Sequence, residues 1–239
     1  GNPFLREKME IENRLGRIQL AKIDYETTRQ KLQKFMAIDG PVRLKDKDAK
    51  IAGLMADKLR MDDAALKDSE GKNLFQMTLG EKIITDRDEA AKILMTAAKG
   101  GFTAAKAVKG SYRGMNLRIL IDPVAMEPYL SLSGARTYRI GFSEKPEVTM
   151  RRLDALHDGI VKELKATQEE RSRIAEDVKE AEEKIKKPFP YAAEEAEKKA
   201  RLIEIVRQME QGSDVAIAAR AVVPCAAVSE EPARAAYAR

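Results

Sequence analysis

From Glu147 to Lys187 the chain carries one sustained pattern of apolar and polar positions. Ile160, Leu164, Thr167, Arg171, Ile174, Val178, Ala181 and Ile185 follow one another in alternating steps of four and three. Nearly every position between them is Glu, Lys, Arg, Asp or Gln. This spacing predicts a helix with a heptad seam and a solvated remainder. No Pro interrupts the stretch before Lys187-Pro188-Phe189-Pro190, and its one Gly, Gly159, lies near the start. At 1.5 Å per residue, about forty residues make a rod of roughly 60 Å. A lone rod cannot bury its seam, so the pattern demands partner helices.

Three further helical patterns supply them. In residues 3 to 38, Phe4, Ile11, Ile18, Tyr25 and Leu32 recur every seven positions, with Leu15 and Met36 on the companion row. Pro3 sits where a first helical turn tolerates proline. Lys22 and Arg29 occupy the companion row, where their stems snorkel past a partner helix. Asp39-Gly40-Pro41, glycine followed by proline, predicts a helix stop and a short hairpin turn. A second helix over about 42 to 67 carries Leu44, Ile51, Leu54, Met55, Leu59 and Leu66. After Pro190 a last helix over about 191 to 211 puts Ala196, Ala200 and Ile203 on one side, ready to pack back on the long helix. From Gly212 the chain is rich in Ala and Val and lacks a charge pattern, which predicts disorder over 212–239.

The texture changes in between. Asp68-Ser69-Glu70-Gly71-Lys72 reads as a loop, and Phe75, Met77 and Leu79 then alternate with polar residues as in a half-buried strand. A helix follows over about 87 to 99, with Asp86 and Glu89 as a capping signature and Gly100-Gly101 as its end. Strands are expected near 108–113, 116–121, 128–132 and 137–142, the first two forming one bent strand kinked at Gly114. The fold class is therefore α+β, mostly α: long antiparallel coiled-coil helices enclosing a small α+β unit with a three- to four-stranded antiparallel sheet. The segments are a helical hairpin at 2–68, the α+β unit at 69–146, the return and final helices at 147–211, and the tail at 212–239. Lys22, Arg29 and Arg171 on core rows argue for an intrachain antiparallel bundle and against a long symmetric homodimer.

Composition adds limits. Of the 239 residues, 44% are hydrophobic, 5% aromatic and 35% charged, with no Trp, which suits elongated helices better than a large globular core. The net charge of +5 permits a nucleic-acid partner without demanding one. A single cysteine, Cys225, excludes an intramolecular disulfide and fits a cytoplasmic location. No apolar run has the length of a membrane span, so no membrane partner is expected. The opening Gly1-Asn2-Pro3-Phe4 has neither a basic leader nor an apolar core, and reads as a cut-out or a processed end.

Catalytic chemistry finds little purchase. His157, the one histidine, stands near Asp154 and Asp158, but nothing completes a metal or acid–base set. Gly100-Gly101 precedes no Gly-Lys-Ser/Thr, and the remaining glycines are too scattered for a dinucleotide fingerprint. No enzyme activity, cofactor or metal is expected in this chain. The most suggestive group is Lys106, Lys109, Tyr112, Arg113, Arg118, Arg136, Tyr138 and Arg139. Cations interleaved with aromatics on a small sheet hold a phosphate backbone or stack bases. The bland alternative is a half-exposed sheet whose long side chains cover apolar surface.

Several pieces together suggest a family. They are Asn2-Pro3-Phe4 opening a helix; Phe75, Gly80 and Thr85-Asp86-Arg87-Asp88-Glu89-Ala90; Gly110-Ser111-Tyr112-Arg113-Gly114; Leu130-Ser131-Leu132-Ser133-Gly134; Arg152-Leu153-Asp154; and Lys187-Pro188-Phe189-Pro190 followed by Lys198, Arg201 and Leu202. In this order the chain, over about residues 2 to 210, resembles the C-terminal helical region of very large proteins of phages and mobile elements. Those proteins join an adenine-N6 DNA methyltransferase to a SNF2-like helicase, and some act in antirestriction. The resemblance implies an accessory segment without chemistry of its own. Its partners would be the helicase and methyltransferase domains of the same chain, and DNA. The resemblance also implies that ATP with Mg and S-adenosylmethionine serve the parent's catalytic domains. Neither the Asn/Asp-Pro-Pro-Tyr/Phe methylase motif nor a helicase phosphate loop occurs here.

Overall fold

The computed structural model describes residues 3–221, with side chains through 211. Its class is α+β, mostly α, and it divides into two units: the described residues up to Leu32 with those from Lys184 onward, and Gln33–Glu183. The boundaries expected at 68/69 and 146/147 fall inside the second unit.

In the first unit, α1 (Pro3–Lys34) runs antiparallel to α7 (Ala192–Ala221). Arg14 grips Glu194 through two parallel bonds of 2.6 and 2.7 Å, and Arg201 grips Glu7 in the same way. Each arginine holds its carboxylate below the usual range. Ile11, Ile18 and Ile205 are buried. Lys22 does more than snorkel, because its ammonium meets Glu195 at 3.2 Å. Tyr25 donates to the Lys187 carbonyl and packs its ring 5.4 Å from Phe189, which ties the Lys187–Pro190 turn to α1. The last helix therefore packs on α1, where the sequence pointed to the long helix before it. It also continues to Ala221, past the expected end at 211. An Ala-rich run with no proline before Pro224 has nothing to stop a helix. The disorder expected at 222–239 lies outside the described residues.

In the second unit, α2 (Gly40–Asp63) runs antiparallel to α6 (Leu156–Lys186), joined by the ion pairs Lys47–Glu170, Lys50–Glu163 and Asp48–Arg171. The predicted seam from Ile160 to Ala181 is buried or half-buried at every position. The hairpin turn at Asp39-Gly40-Pro41 does not form. Phe35–Asp39 is a π-helical turn, and Lys34, Asp39 and Gly40 all have right-handed helical dihedrals. A Pro in an α-helix collides with the carbonyl four residues back. Here the wider π turn accommodates Pro41, and the Gly40 N–H reaches the Phe35 carbonyl instead. Gly40 is present for packing: a Cβ there would lie 2.5 Å from Val178 Cγ2. Tertiary contact thus overrides a strong local stop signal.

The sheet has six antiparallel strands, not three or four, in the order β2-β1-β3-β4-β5-β6. They are β1 (Met77–Leu79), β2 (Lys82–Ile84), β3 (Lys109–Tyr112), β4 (Met115–Ile121), β5 (Pro128–Ser133) and β6 (Thr137–Gly141). The alternation at Phe75, Met77 and Leu79 becomes β1, which pairs with β3 and so joins the main sheet. β2 is too short to show an alternation of its own. β3 and β4 are separate strands, because Arg113 (φ 46°) and Gly114 (φ 72°) form a two-residue turn with both φ positive. That is the I′ geometry matching strand twist, so Gly114 makes a hairpin and no kink.

α3 (Arg87–Lys99) has the expected bounds, and the Asp86 carboxylate accepts from the Asp88 and Glu89 N–H groups. A short α4 (Gly101–Ala107) follows where only a stop was expected. The long return helix is interrupted at Ala155 into α5 (Pro146–Asp154) and α6. Leu54 and Met61 of α2, Leu94 of α3, Leu153 of α5 and Ile160 of α6 join Met115, Leu117, Leu130 and Leu132 of the sheet in one buried cluster. At about 1.5–3 kcal/mol per fully buried large apolar side chain, this shared core dominates the unit. The head of the α6 seam, Ile160 and Leu164, joins this core, while Thr167 and Ala181 are buried further along the helix.

Candidate nucleic-acid interface

The register divides the sheet's side chains between two faces. Met115, Leu117 and Ile119 of β4 are buried, and Asn116, Arg118 and Leu120 point the other way. Directly paired residues share a face. Arg118 pairs with Lys109 on one side and Ser131 on the other, and Ser131 pairs with Arg139. Lys109, Arg118 and Arg139 therefore form a cationic row across the outer face, with Ser131 buried among them. Lys106 of α4 adds a fourth cation, its ammonium 5.8 Å from the Phe102 ring centroid.

These four are not equivalent. The Arg139 guanidinium lies 4.0 Å from the Tyr129 ring centroid, and its Nη1 donates to Asp122 Oδ2 at 2.6 Å. The Asp122 carboxylate also accepts the Ala125 and Val124 N–H groups, which together with Arg139 bring its pKa down to about 2. Arg139 is thus fixed beside a permanent anion. Among the described residues, Lys106, Lys109 and Arg118 have no carboxylate partner.

The structure does not bring the other four to this face. Tyr112 is only 2% exposed, packs 6.0 Å from Phe75, and donates its hydroxyl to Asp154 Oδ1 at 2.7 Å. Burial raises its pKa. Tyr138 shares the inner face with Leu132 and donates to Asp57 Oδ2 at 2.9 Å. Burial and the Asp57 carboxylate raise its pKa as well. The Tyr112 ring is closed to a base, and Tyr138 is half-buried with its hydroxyl committed to Asp57. Arg113 sits in the β3–β4 turn with its guanidinium 5.6 Å from the Tyr112 ring centroid. Arg136 lays its stem along α2, within 2.9 Å of where a Cβ on Gly53 would stand.

Sequence reading missed Asp57, which is fully buried in α2. Its carboxylate accepts from the Ala135 N–H (2.6 Å), the Arg136 N–H (2.8 Å) and the Tyr138 hydroxyl, and so anchors the β5–β6 turn. A Cβ on Gly134 would stand 2.1 Å from Asp57 Oδ1, so the turn closes on the carboxylate only with glycine there. One signal was available: Asp57 lies three residues after Leu54 and four before Met61, on the buried stripe of α2.

The motifs singled out in the sequence meet at Asp154. It receives the Tyr112 hydroxyl from Gly110-Ser111-Tyr112-Arg113-Gly114 and an ion pair from Arg87 of Thr85-Asp86-Arg87-Asp88. Gly110 is needed where β3 pairs with β1, since a Cβ would lie 2.0 Å from the Thr78 carbonyl oxygen. His157 Nε2 sits 2.7 Å from Asp62 Oδ1. Among the described residues no group of three or more His, Cys, Asp or Glu is placed to hold a metal ion, and no described helix is long and apolar enough to cross a membrane. No protein-family model, curated protein or solved structure matches this chain.

Proposed function

We propose that this chain is a non-catalytic accessory arm that contacts DNA through its backbone charge. On this reading its antiparallel helices are coiled-coil pairs, and it belongs to a DNA helicase–adenine-N6 methyltransferase polypeptide of the kind its motifs resemble. The observation that carries the DNA contact is the outer-face row Lys109–Arg118–Arg139 with Lys106 beside it. From β3 to β6 the row crosses three strand spacings, about 14 Å at about 4.8 Å each, enough to follow several phosphates. Lysine offers a point charge and arginine a fork to phosphate oxygens, and neither reads sequence. Catalysis, with ATP, Mg and S-adenosylmethionine, would reside in the parent's other domains.

The test is titration of the purified chain with labelled duplex and single-stranded DNA at 50 and 200 mM salt. The proposal expects binding at the lower salt that falls steeply at the higher, as counterion release requires. No binding at the lower salt would overturn it.

A second reading, a structural adaptor that docks a protein partner, draws on a different observation. Leu20 and Ile23 of α1 and Ile203 of α7 are at least half exposed. Light scattering separates the two: a stable dimer that loses helicity on dilution favours the adaptor, and a monomer with constant helicity favours the arm.

A further inference from the structure

We infer that a cleft between α4 and the end of β4 holds an unpaired base of a DNA strand, so that the chain prefers single-stranded to duplex DNA. The inference rests on the DNA-contact reading above and adds to it a site and a substrate form. β3 begins at Lys109, opposite Arg118, so Ile119–Ile121 run on past the end of β3. α4 packs against β4. The cleft there has a volume of about 390 Å³ and is lined by Phe102, Lys106, Lys109, Arg118, Leu120 and Tyr129, among others. This size falls in the range of small-ligand sites.

Its chemistry is divided. Phe102 and Leu120 are 68% and 41% exposed, a large aromatic and a large aliphatic side chain left in water. The charged lining is entirely cationic: no carboxylate is among the described residues that line the cleft. A surface that only tracked phosphates would need no exposed phenyl ring. A phenyl platform beside three unpaired cations complements a group that has both a flat π face and a phosphate, which is a nucleotide. Tyr129 is already covered by Arg139, so Phe102 is the platform open to a base. Lys106, which rests over that ring, is placed to move off it onto the phosphate. Duplex DNA keeps its bases stacked inside and can offer this cleft only phosphates, which is why the preference falls on single strands.

The experiment titrates the full chain with three labelled probes at low salt: oligo-dT, a strand of the same length made of abasic sites, and a duplex. The chain has no Trp, so Phe102→Trp places a single indole in the cleft as a reporter. Oligo-dT should bind about tenfold more tightly than the abasic strand, the size of one base–aromatic stack. Phe102→Ala should remove that difference without changing abasic binding or the circular dichroism spectrum. Phe102→Trp should restore it, with indole fluorescence quenched by oligo-dT and not by the abasic strand. Equal binding of all three probes, with Phe102→Ala inert and Lys109→Ala weakening each alike, would overturn the base site while leaving the DNA-contact reading intact. Absence of binding to any probe would overturn both. Loss of oligo-dT binding to competition by anionic lipid vesicles that the chain binds more tightly would assign the cleft to a membrane surface and overturn the inference.

Discussion

The two faces of the sheet use the same residue types in opposite ways. On the inner face, Tyr112 gives its hydroxyl to the half-buried carboxylate of Asp154 in α5 and Tyr138 to the buried carboxylate of Asp57 in α2. Their polarity is consumed in holding the helices to the strands. On the outer face, Tyr129 carries a guanidinium on its ring, and Lys109 and Arg118 keep their charges in water. A buried polar group left without its partner costs about 1–3 kcal/mol, whereas an exposed cation changes stability by less than about 0.5 kcal/mol. Inner-face substitutions should therefore unfold and outer-face substitutions should unbind.

The largest effect belongs to Asp57→Ala. It strips partners from two backbone N–H groups and a tyrosine hydroxyl at once, and should cost about 3 kcal/mol or more by urea denaturation. A loss under about 1 kcal/mol would mean that the β5–β6 turn is held by something else.

Gly114→Val comes next. Positive φ at Gly114 makes any Cβ strained by about 1–2 kcal/mol, and the added carbon would stand 3.1 Å from the Arg60 carbonyl and 3.2 Å from Ala64 Cβ. If the sheet and the helices had separate cores, such a change would loosen the strands and spare the helices. With Leu54, Met61 and the strands in one core, amides of α2 and of β3–β5 should instead lose hydrogen-exchange protection together. Strands that exchange early while α2 stays protected would break the shared-core account.

A smaller effect is set by pH. The folded pKa values of Tyr112 and Tyr138 are raised, so the folded state holds these protons more tightly than the unfolded chain. Their stabilising contribution is complete below about pH 10, the ordinary tyrosine value, and is lost as pH rises beyond it. The urea midpoint should fall as pH rises above about 10, less steeply in Tyr112→Phe. An unchanged midpoint over that range would show that the two hydroxyls are not locked.

The elements that were legible in the sequence are those fixed by local chemistry. The seam of α6, the Asp86 cap of α3 and the alternation of β4 each depend on neighbours within a few residues. Asp39-Gly40-Pro41 misled because its outcome depends on Val178, far along the chain. Asp57 stayed hidden for the same reason: its partners lie 78 to 81 residues away. The candidate site was half legible. The interleaving of cations with aromatics marked the candidates, but only the register separates Lys109, Arg118 and Arg139 on the outer face from Tyr112 and Tyr138 on the inner one.

The claim that the outer face is the contact surface is tested most directly by the salt dependence of DNA binding in three proteins: the unaltered chain, Lys109→Ala/Arg118→Ala, and Tyr112→Phe. Plots of log affinity against log salt should be linear. The double variant should lose about two units of slope, about one per phosphate contact removed, with an unchanged urea midpoint. Tyr112→Phe should keep the full slope while losing about 1 kcal/mol of stability. Identical slopes in the unaltered chain and the double variant would contradict the account and move the DNA contact elsewhere on the molecule.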